Sequence, residues 1–155
     1  MPAGPKVTEG DHRQIEELIY AYAARMDRGD FDGVAELFAE ATYGAAGQPP
    51  LRGREQIQRV LCRSVKLYDG SPRTKHVTTN VVVEIAWDSL AACAHSYFQV
   101  LQSVPGSGLS TVAAGRYEDR FSCRDERWWF AERTIHMDLL GDVSAHLTID
   151  LAGPT

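Results

Sequence analysis

The stretch Thr74–Trp87, TKHVTTNVVVEIAW, decides the fold, because the pattern of the chain changes there from helical to extended. It is rich in β-branched residues, which favour the pleated backbone of a strand. Further runs of β-branched and aromatic residues follow at 90–104, 110–123 and 127–140, separated by short turn segments. Short connections between consecutive strands favour antiparallel pairing. The sequence therefore predicts four long strands that form an antiparallel meander.

Apolar residues recur at helical spacing before these strands. Thr8 and Asp11 form a capping-box pattern, which satisfies free N–H groups at the start of a helix. The apolar residues of that first helix fall on one face: Ile15, Leu18, Ile19, Tyr22 and Met26. Asp30 can cap a second, shorter helix, residues 41–53 hold a short strand and a turn, and residues 54–65 return to helical spacing. The apolar repeat of the second helix runs through Val34, Leu37, Phe38 and Ala41.

Helices followed by long strands are the α+β pattern, in which the helices cover one face of an antiparallel sheet. If the sheet curls around the first helices, the space between them becomes an apolar pocket lined by every second strand residue. The 155 residues of the chain, 44% of them hydrophobic, fit one compact domain of this kind.

Charge and cysteine content argue against several classes of protein. The formal net charge of -5 and the absence of a Lys/Arg-rich run disfavour nucleic acid and anionic membranes as partners. The opening MPAGPKVTEG lacks the apolar core of a signal peptide, and no stretch reaches the roughly 18 apolar residues of a spanning helix. A soluble cytoplasmic protein is expected. Cys62, Cys93 and Cys123 form no C-x-x-C pair and are expected to be reduced packing residues.

Four short motifs carry a resemblance to a known family: RMDRGDF at 25–31, TKHVTTN at 74–80, GRYEDRF at 115–121 and RWWFAERTIHMD at 127–138. In this order of elements, the chain resembles the SnoaL-like branch of the nuclear transport factor 2-like (NTF2-like) superfamily. That branch contains scytalone dehydratase, hexachlorocyclohexane dehydrochlorinase, bile-acid 7-alpha-dehydratase and SnoaL-type polyketide cyclases. The resemblance implies one domain over 1–155, ordered over about 8–150 with short flexible termini. It also implies a cone of three N-terminal helices on a strongly curved, mostly antiparallel sheet that encloses a pocket.

The resemblance also implies a set of site residues. Asp27 and His76 match the family's catalytic pair, in which the imidazole takes a proton from an acidic C–H while the carboxylate fixes its tautomer and stabilises the imidazolium. Tyr22 and Tyr43 match residues that hold or protonate the departing oxygen in relatives. Arg133 matches an arginine near the leaving group and would bind an anion or a substrate carboxylate.

Two departures from scytalone dehydratase predict a different enzyme. Met26 stands where that enzyme has a tyrosine, and Val100 stands where it has a second strand histidine. A geometric difficulty concerns Tyr22 and Asp27, which are about 140° apart around an ideal helix. Both can face one cavity only if the pocket wraps the helix end or the helix loosens near Asp27.

Aromatic residues along the strands are the expected walls of the pocket. Phe38, Phe98 and Trp129 are assigned to substrate binding, together with Arg133. Because side chains alternate along a strand, about half of the strand aromatics should point inward and half outward. The sequence leaves open which half is which.

A metal site and a nucleotide site are the competing ideas. The histidines, at positions 12, 76, 95, 136 and 146, and Asp138 form no H-E-x-x-H or comparable helix-face motif. The segment VPGSGLS lacks the glycine spacing of a phosphate-binding loop. No metal and no cofactor are therefore expected, and Arg116 and Glu118, two apart on one strand face, are expected to form cross-sheet ion pairs.

The leading hypothesis is a cofactor-independent lyase or isomerase, dehydratase-like, that acts on a small hydrophobic polycyclic or polyketide-like substrate. Two related hypotheses stay open. One is a cyclase that uses the same residues, and the other is a variant in which Asp27 is the sole base, as in ketosteroid isomerase. The alternative is a non-catalytic cone that binds a hydrophobic ligand or acts as an oligomerising scaffold, because a fold by itself assigns no function. Relatives imply a homo-oligomer, dimer or trimer.

Overall fold

The computed structural model describes residues 7–86 and 90–149, which form one sheet with helices packed on it. The three helices in these ranges are α1 Glu9–Asp27, α2 Phe31–Leu37 and α3 Arg54–Ser64. The six strands there are β1 Thr42–Ala45, β2 Leu51–Arg52, β3 Thr74–Ile85, β4 Ala91–Gln102, β5 Ser110–Arg124 and β6 Arg127–Leu140. The expectation of short flexible termini concerns residues outside the described ranges.

The predicted helix starts are confirmed. The Thr8 side chain accepts a hydrogen bond from the Asp11 N–H, and the Asp11 carboxylate accepts one from the Thr8 N–H, which completes the capping box of α1. Asp30 caps α2 by accepting a hydrogen bond from the Gly33 N–H at 2.9 Å. The helix α2 ends at Leu37, earlier than its apolar repeat predicted, although Phe38 and Ala41 are still buried.

The four long strands pair in the predicted antiparallel meander, and the order of the whole sheet is β2-β1-β6-β5-β4-β3. The short strand β1 lies beside β6 and pairs with it in parallel, so the sheet is mixed. The two-residue strand β2, which the sequence did not indicate, adds to β1 in antiparallel fashion. Within the described part of the chain, β2 and β3 are the two edges, so the sheet is not closed.

The core lies between α1 and the inner face of the sheet. On β4 every second residue from Ala92 to Gln102 is buried, as strand alternation requires. The predicted face of α1 is buried at all its positions except Leu18, which is partly buried. Because α1 packs against β3 and β6, its C-terminal end comes to the beginning of β3. None of the helices in the described ranges is long and apolar enough to span a membrane.

Candidate active site

Asp27 and His76 meet where α1 ends and β3 begins. Asp27 is the last residue of α1, and His76 lies close to the start of β3. The His76 Nδ1 is 2.6 Å from the Asp27 Oδ1, and the His76 backbone N–H donates to Oδ1 and Oδ2 at 3.1 and 3.0 Å. The Thr74 hydroxyl donates to Oδ1 at 2.9 Å. One carboxylate therefore holds the ring and the backbone of the same histidine.

This contact fixes the tautomer of His76. An ionised carboxylate can only accept hydrogen bonds, so the Nδ1 that faces it carries the ring hydrogen. The other ring nitrogen, Nε2, then keeps its lone pair and can accept a proton. The arrangement is that of a histidine base oriented by a carboxylate.

The electrostatics keep Asp27 ionised. Burial by itself raises the pKa of the Asp27 carboxyl, but several groups oppose it. The pKa is lowered below its ordinary value by the hydrogen bond from the His76 ring and by the electrostatic attraction to His76. Hydrogen bonds from the His76 backbone and the Thr74 hydroxyl add to this effect. The carboxylate is thus negative at neutral pH.

The side chains of Asp27 and His76 are almost fully buried, but both line a cleft. The His76 side chain is 5% exposed and the Asp27 side chain is 11% exposed. A cleft of about 400 Å³ between α1 and β3 contacts both. Its other lining residues are Tyr20, Ala23, Ala24, Arg28, Lys75 and Thr78. A small ligand in this cleft can therefore contact the pair.

Tyr22 and Tyr43 form a buried hydroxyl pair beside His76. Their hydroxyl oxygens are 2.8 Å apart, and the Tyr22 ring stands edge-on to the His76 ring at 6.3 Å between centroids. Tyr22 is buried in the core and is not among the residues that line the cleft beside Asp27 and His76, so Tyr22 and Asp27 do not share one cavity, as their separation of about 140° around the helix predicted. Burial raises the pKa of Tyr22 and raises the pKa of Tyr43 well above its ordinary value, so both hydroxyls are protonated at neutral pH.

Arg133 lies fully buried in an ion pair that the sequence did not predict. Its Nε and Nη2 each donate to the Asp119 carboxylate at 2.7 Å. The guanidinium stacks over the rings of Tyr117 and Tyr22, at 3.9 and 4.4 Å from their centroids. Burial lowers the Arg133 pKa, but the charge of Asp119 and its hydrogen bonds outweigh this and raise it. The Nη1 atom is buried and has no hydrogen-bond partner in the described part of the chain.

The assigned aromatic residues divide between the two faces of the sheet. Phe38 packs on Tyr43, with centroids 4.9 Å apart, and Phe98 stacks on Tyr117 at 4.4 Å. Both therefore belong to the aromatic cluster around the tyrosine pair. Trp129 is instead 40% exposed and lies against Arg127.

The placement of Trp129 corrects its assignment to substrate binding. Its neighbours Trp128 and Phe130 take the inward positions on β6, so strand alternation turns Trp129 to the outer face. The outer face also carries the cross-strand ion pairs that were expected. Arg116 binds Asp138, and the Glu118 carboxylate lies 3.2 Å from the His136 Nε2.

Sequence reasoning missed three residues of this region. Thr74 lies two positions before His76 on the same strand face, and this spacing could have identified it as a partner of Asp27. Asp119 faces Arg133 on the neighbouring strand, which only the strand register reveals. His146 lies beyond the last strand, and its ring is 6.3 Å from the His76 ring; no periodic pattern marks it.

Comparison with known proteins identifies a matching family and solved structures with a similar fold. The SnoaL-like domain profile matches residues 10–134. No curated protein matches the chain. Among solved structures, an NTF2-like protein with a cystatin-like fold from Novosphingobium aromaticivorans is similar, with 22% identity, a TM-score of 0.68, and coverage of 88% of this chain and 86% of that chain.

Two further structures from bacteria share the fold. A proposed scytalone dehydratase from Novosphingobium aromaticivorans has 18% identity and a TM-score of 0.67, covering 86% of this chain and 87% of that chain. ActVI-ORFA from Streptomyces coelicolor has 18% identity and a TM-score of 0.67, covering 83% of this chain and 98% of that chain. At such identities, the likeness shows a common architecture.

Proposed function

The chain belongs to the SnoaL-like domain family, and from this premise we propose that it is a cofactor-independent lyase or isomerase that acts on a small hydrophobic, polycyclic or polyketide-like molecule. The observation that carries the proposal is the 2.6 Å contact between Asp27 and His76, in a setting where the carboxylate also binds the His76 backbone. A histidine held in this way is suited to removing a proton from carbon.

The first step is proton abstraction by His76. Its Nε2 takes a proton from a carbon next to a carbonyl or similar activating group, and the electron pair of the C–H bond moves onto that group. Asp27 stabilises the imidazolium that forms. Because both side chains are almost fully buried, the attraction between the carboxylate and the imidazolium is stronger than it would be on the protein surface.

The tyrosine pair supplies a proton or a hydrogen bond to the departing or developing oxygen. One of its two hydroxyl hydrogens lies in the bond between Tyr22 and Tyr43, so the other would be the one offered to a substrate oxygen. Arg133, stacked on the Tyr22 ring, favours negative charge nearby. Elimination follows if that oxygen leaves as water with a proton from the tyrosine pair, which the imidazolium of His76 then replaces. Isomerisation follows if the imidazolium returns its proton to another carbon of the substrate.

The apolar surroundings suit a flat substrate. Phe38, Phe98 and Tyr117 pack in one aromatic cluster with the tyrosine pair and exclude water from it. ActVI-ORFA and the proposed scytalone dehydratase share this fold, and the name of the latter supports a dehydratase activity here as well.

The proposal is tested by measuring proton abstraction directly. Wild-type protein is incubated in deuterium oxide with a panel of hydroxylated polycyclic and polyketide-like ketones, and deuterium entry and elimination are followed by mass spectrometry. We expect Asp27→Asn and His76→Ala to reduce both rates by about 10²-fold or more, the usual contribution of a positioned acid or base.

Asp30→Asn is the matched control, since Asp30 is an exposed helix cap three positions away and binds no part of the site. It should turn over substrate at the wild-type rate. Unchanged rates in both Asp27→Asn and His76→Ala would remove the pair from the mechanism.

A further inference from the structure

The segment 141–149 crosses from the end of β6 to α3 and is firmly held on both sides of His146. The Lys66 N–H donates to the His146 carbonyl at 2.8 Å, and the Thr148 N–H donates to the Ser64 carbonyl at 2.9 Å. The Ala145 carbonyl accepts from the Tyr68 hydroxyl at 2.7 Å and from the Gln102 amide at 3.2 Å. These bonds fix the backbone from which the His146 side chain projects.

The side chain of His146 turns toward the catalytic pair. The residue is 6% exposed, and its ring stands 6.3 Å from the His76 ring at an interplanar angle of 65°. The buried Nδ1 has no hydrogen-bond partner among the described residues. The His146 ring, which carries this unsatisfied nitrogen, therefore lies beside the ring of the proposed base.

An unpartnered nitrogen at this position needs a reason. A buried polar atom without a hydrogen bond destabilises the folded state, whereas an apolar side chain of similar size would fill the same space without that cost. Burial lowers the pKa of His146 to about 4, and the electrostatic effect of the nearby His76 acts in the same direction, so the His146 ring is neutral at pH 7. A neutral imidazole N–H can polarise a carbonyl oxygen.

We propose that His146 is a substrate-contacting residue, whose Nδ1–H donates a hydrogen bond to the oxygen that gains negative charge when His76 removes the neighbouring proton. This inference rests on the proposed function. The proton moves from carbon to the His76 Nε2, the C–H electron pair moves into the enolate, and His146 binds the enolate oxygen without transferring its own proton. The tyrosine pair is then free to serve the oxygen that departs.

The probe is 2-naphthol, a stable aromatic enol whose hydroxyl stands in for the enolate oxygen. We expect His146→Leu to weaken its binding by about tenfold, the worth of one lost hydrogen bond to a charged or strongly polar group. His146→Asn should stay within about threefold of wild type, because an asparagine amide nitrogen can take the place of Nδ1–H. His95→Leu, at an exposed histidine on the outer face of β4, is the matched control and should bind like wild type.

A packing role for His146 predicts the opposite order. His146→Leu would then bind 2-naphthol and exchange deuterium like wild type, while His146→Asn would lose thermal stability and binding. That order, or a wild-type protein that fails to bind 2-naphthol, overturns the inference.

The exchange assay separates this inference from the proposed function. If Asp27→Asn and His76→Ala lose deuterium exchange while both His146 variants keep the wild-type rate, His146 has no catalytic contact and the proposed base stands. If exchange is unchanged in Asp27→Asn and His76→Ala, the proposed function itself fails.

Discussion

Asp27 and Asp30 stand three positions apart and perform different tasks. Asp30 accepts a hydrogen bond from the first turn of α2, which is ordinary helix capping. Asp27 has no capping bond there, and its acceptors are filled by the Thr74 hydroxyl and by the backbone and ring of His76. The role of a carboxylate at the end of a helix thus depends on which strand lies beside it.

The hydrogen bond between the hydroxyls of Tyr22 and Tyr43 leads to a prediction about stability and activity. Tyr22→Phe or Tyr43→Phe leaves the other buried hydroxyl without its partner, so each should lower the free energy of unfolding by about 1–3 kcal/mol. The double variant removes both polar groups and should lose less than the sum of the two. Urea unfolding measures the stabilities, and deuterium exchange measures the activity.

A catalytic role for the pair requires that the double variant lose turnover even though it loses less stability than the sum of the two single variants. Tyr97→Phe, at an exposed tyrosine on the outer face of β4, is the control and should change neither quantity. Strict additivity of the two stability losses would contradict the hydroxyl–hydroxyl bond.

At the scale of elements, an irregularity in β6 decides which face Arg133 occupies. Simple alternation would place Arg133 on the same face as Trp129, four positions earlier. The register between β5 and β6 instead shifts between Arg120 and Phe121, with Phe121 opposite Phe130 and Arg120 opposite Glu132. The extra residue, Ala131, turns Arg133 inward to Asp119.

The buried pair formed in this way gives a prediction for β5 and β6. Asp119→Asn leaves the Arg133 charge uncompensated in the core and should lower the free energy of unfolding by about 3–5 kcal/mol. The double variant Asp119→Leu with Arg133→Met should recover much of that loss, because it removes both charges. Urea unfolding is the measurement.

Arg116→Met offers the control, because Arg116 and Asp138 are paired on the exposed face of the same two strands. An exposed pair contributes about 0–1 kcal/mol. Equal losses for Asp119→Asn and Arg116→Met would contradict the burial of the inner pair.

How far the sequence predicts this structure depends on the range of each interaction. The caps at Thr8 and Asp30 are local, so spacing within a few residues identified them. The contact of Asp27 with His76 joins distant parts of the chain, and only the family resemblance indicated it. The inward turn of Arg133 and the outward turn of Trp129 depend on strand register, which no local pattern carries.

On the scale of the whole molecule, the pH dependence of stability should reveal His146. Its folded pKa of about 4 lies below the ordinary value of about 6.5, so the folded state binds this proton less readily than the unfolded state. The neutral ring contributes its full stability above pH 6.5 and loses it as the pH falls toward 4, by up to about 1.4 kcal/mol per pH unit. The depressed pKa of Asp27 acts in the same direction, but only below the ordinary carboxyl range near pH 4.

Urea unfolding of wild type and His146→Leu at pH 7.5, 5.5 and 4.5 checks this expectation. Wild type should lose more stability than His146→Leu between pH 6.5 and 4, and the exposed variant His95→Leu should follow wild type. Parallel curves for wild type and His146→Leu would show that His146 takes up its proton equally in both states.

The parallel pairing of β1 with β6 sets an order of events in folding. Thr42 pairs with Glu132, roughly 90 positions later in the chain, so β1 can join the sheet only after nearly the whole meander exists. Contacts between such distant positions form slowly, because the intervening loop must close first. Because Tyr43 lies on β1, we expect its hydroxyl to reach its final position beside Tyr22 late in folding.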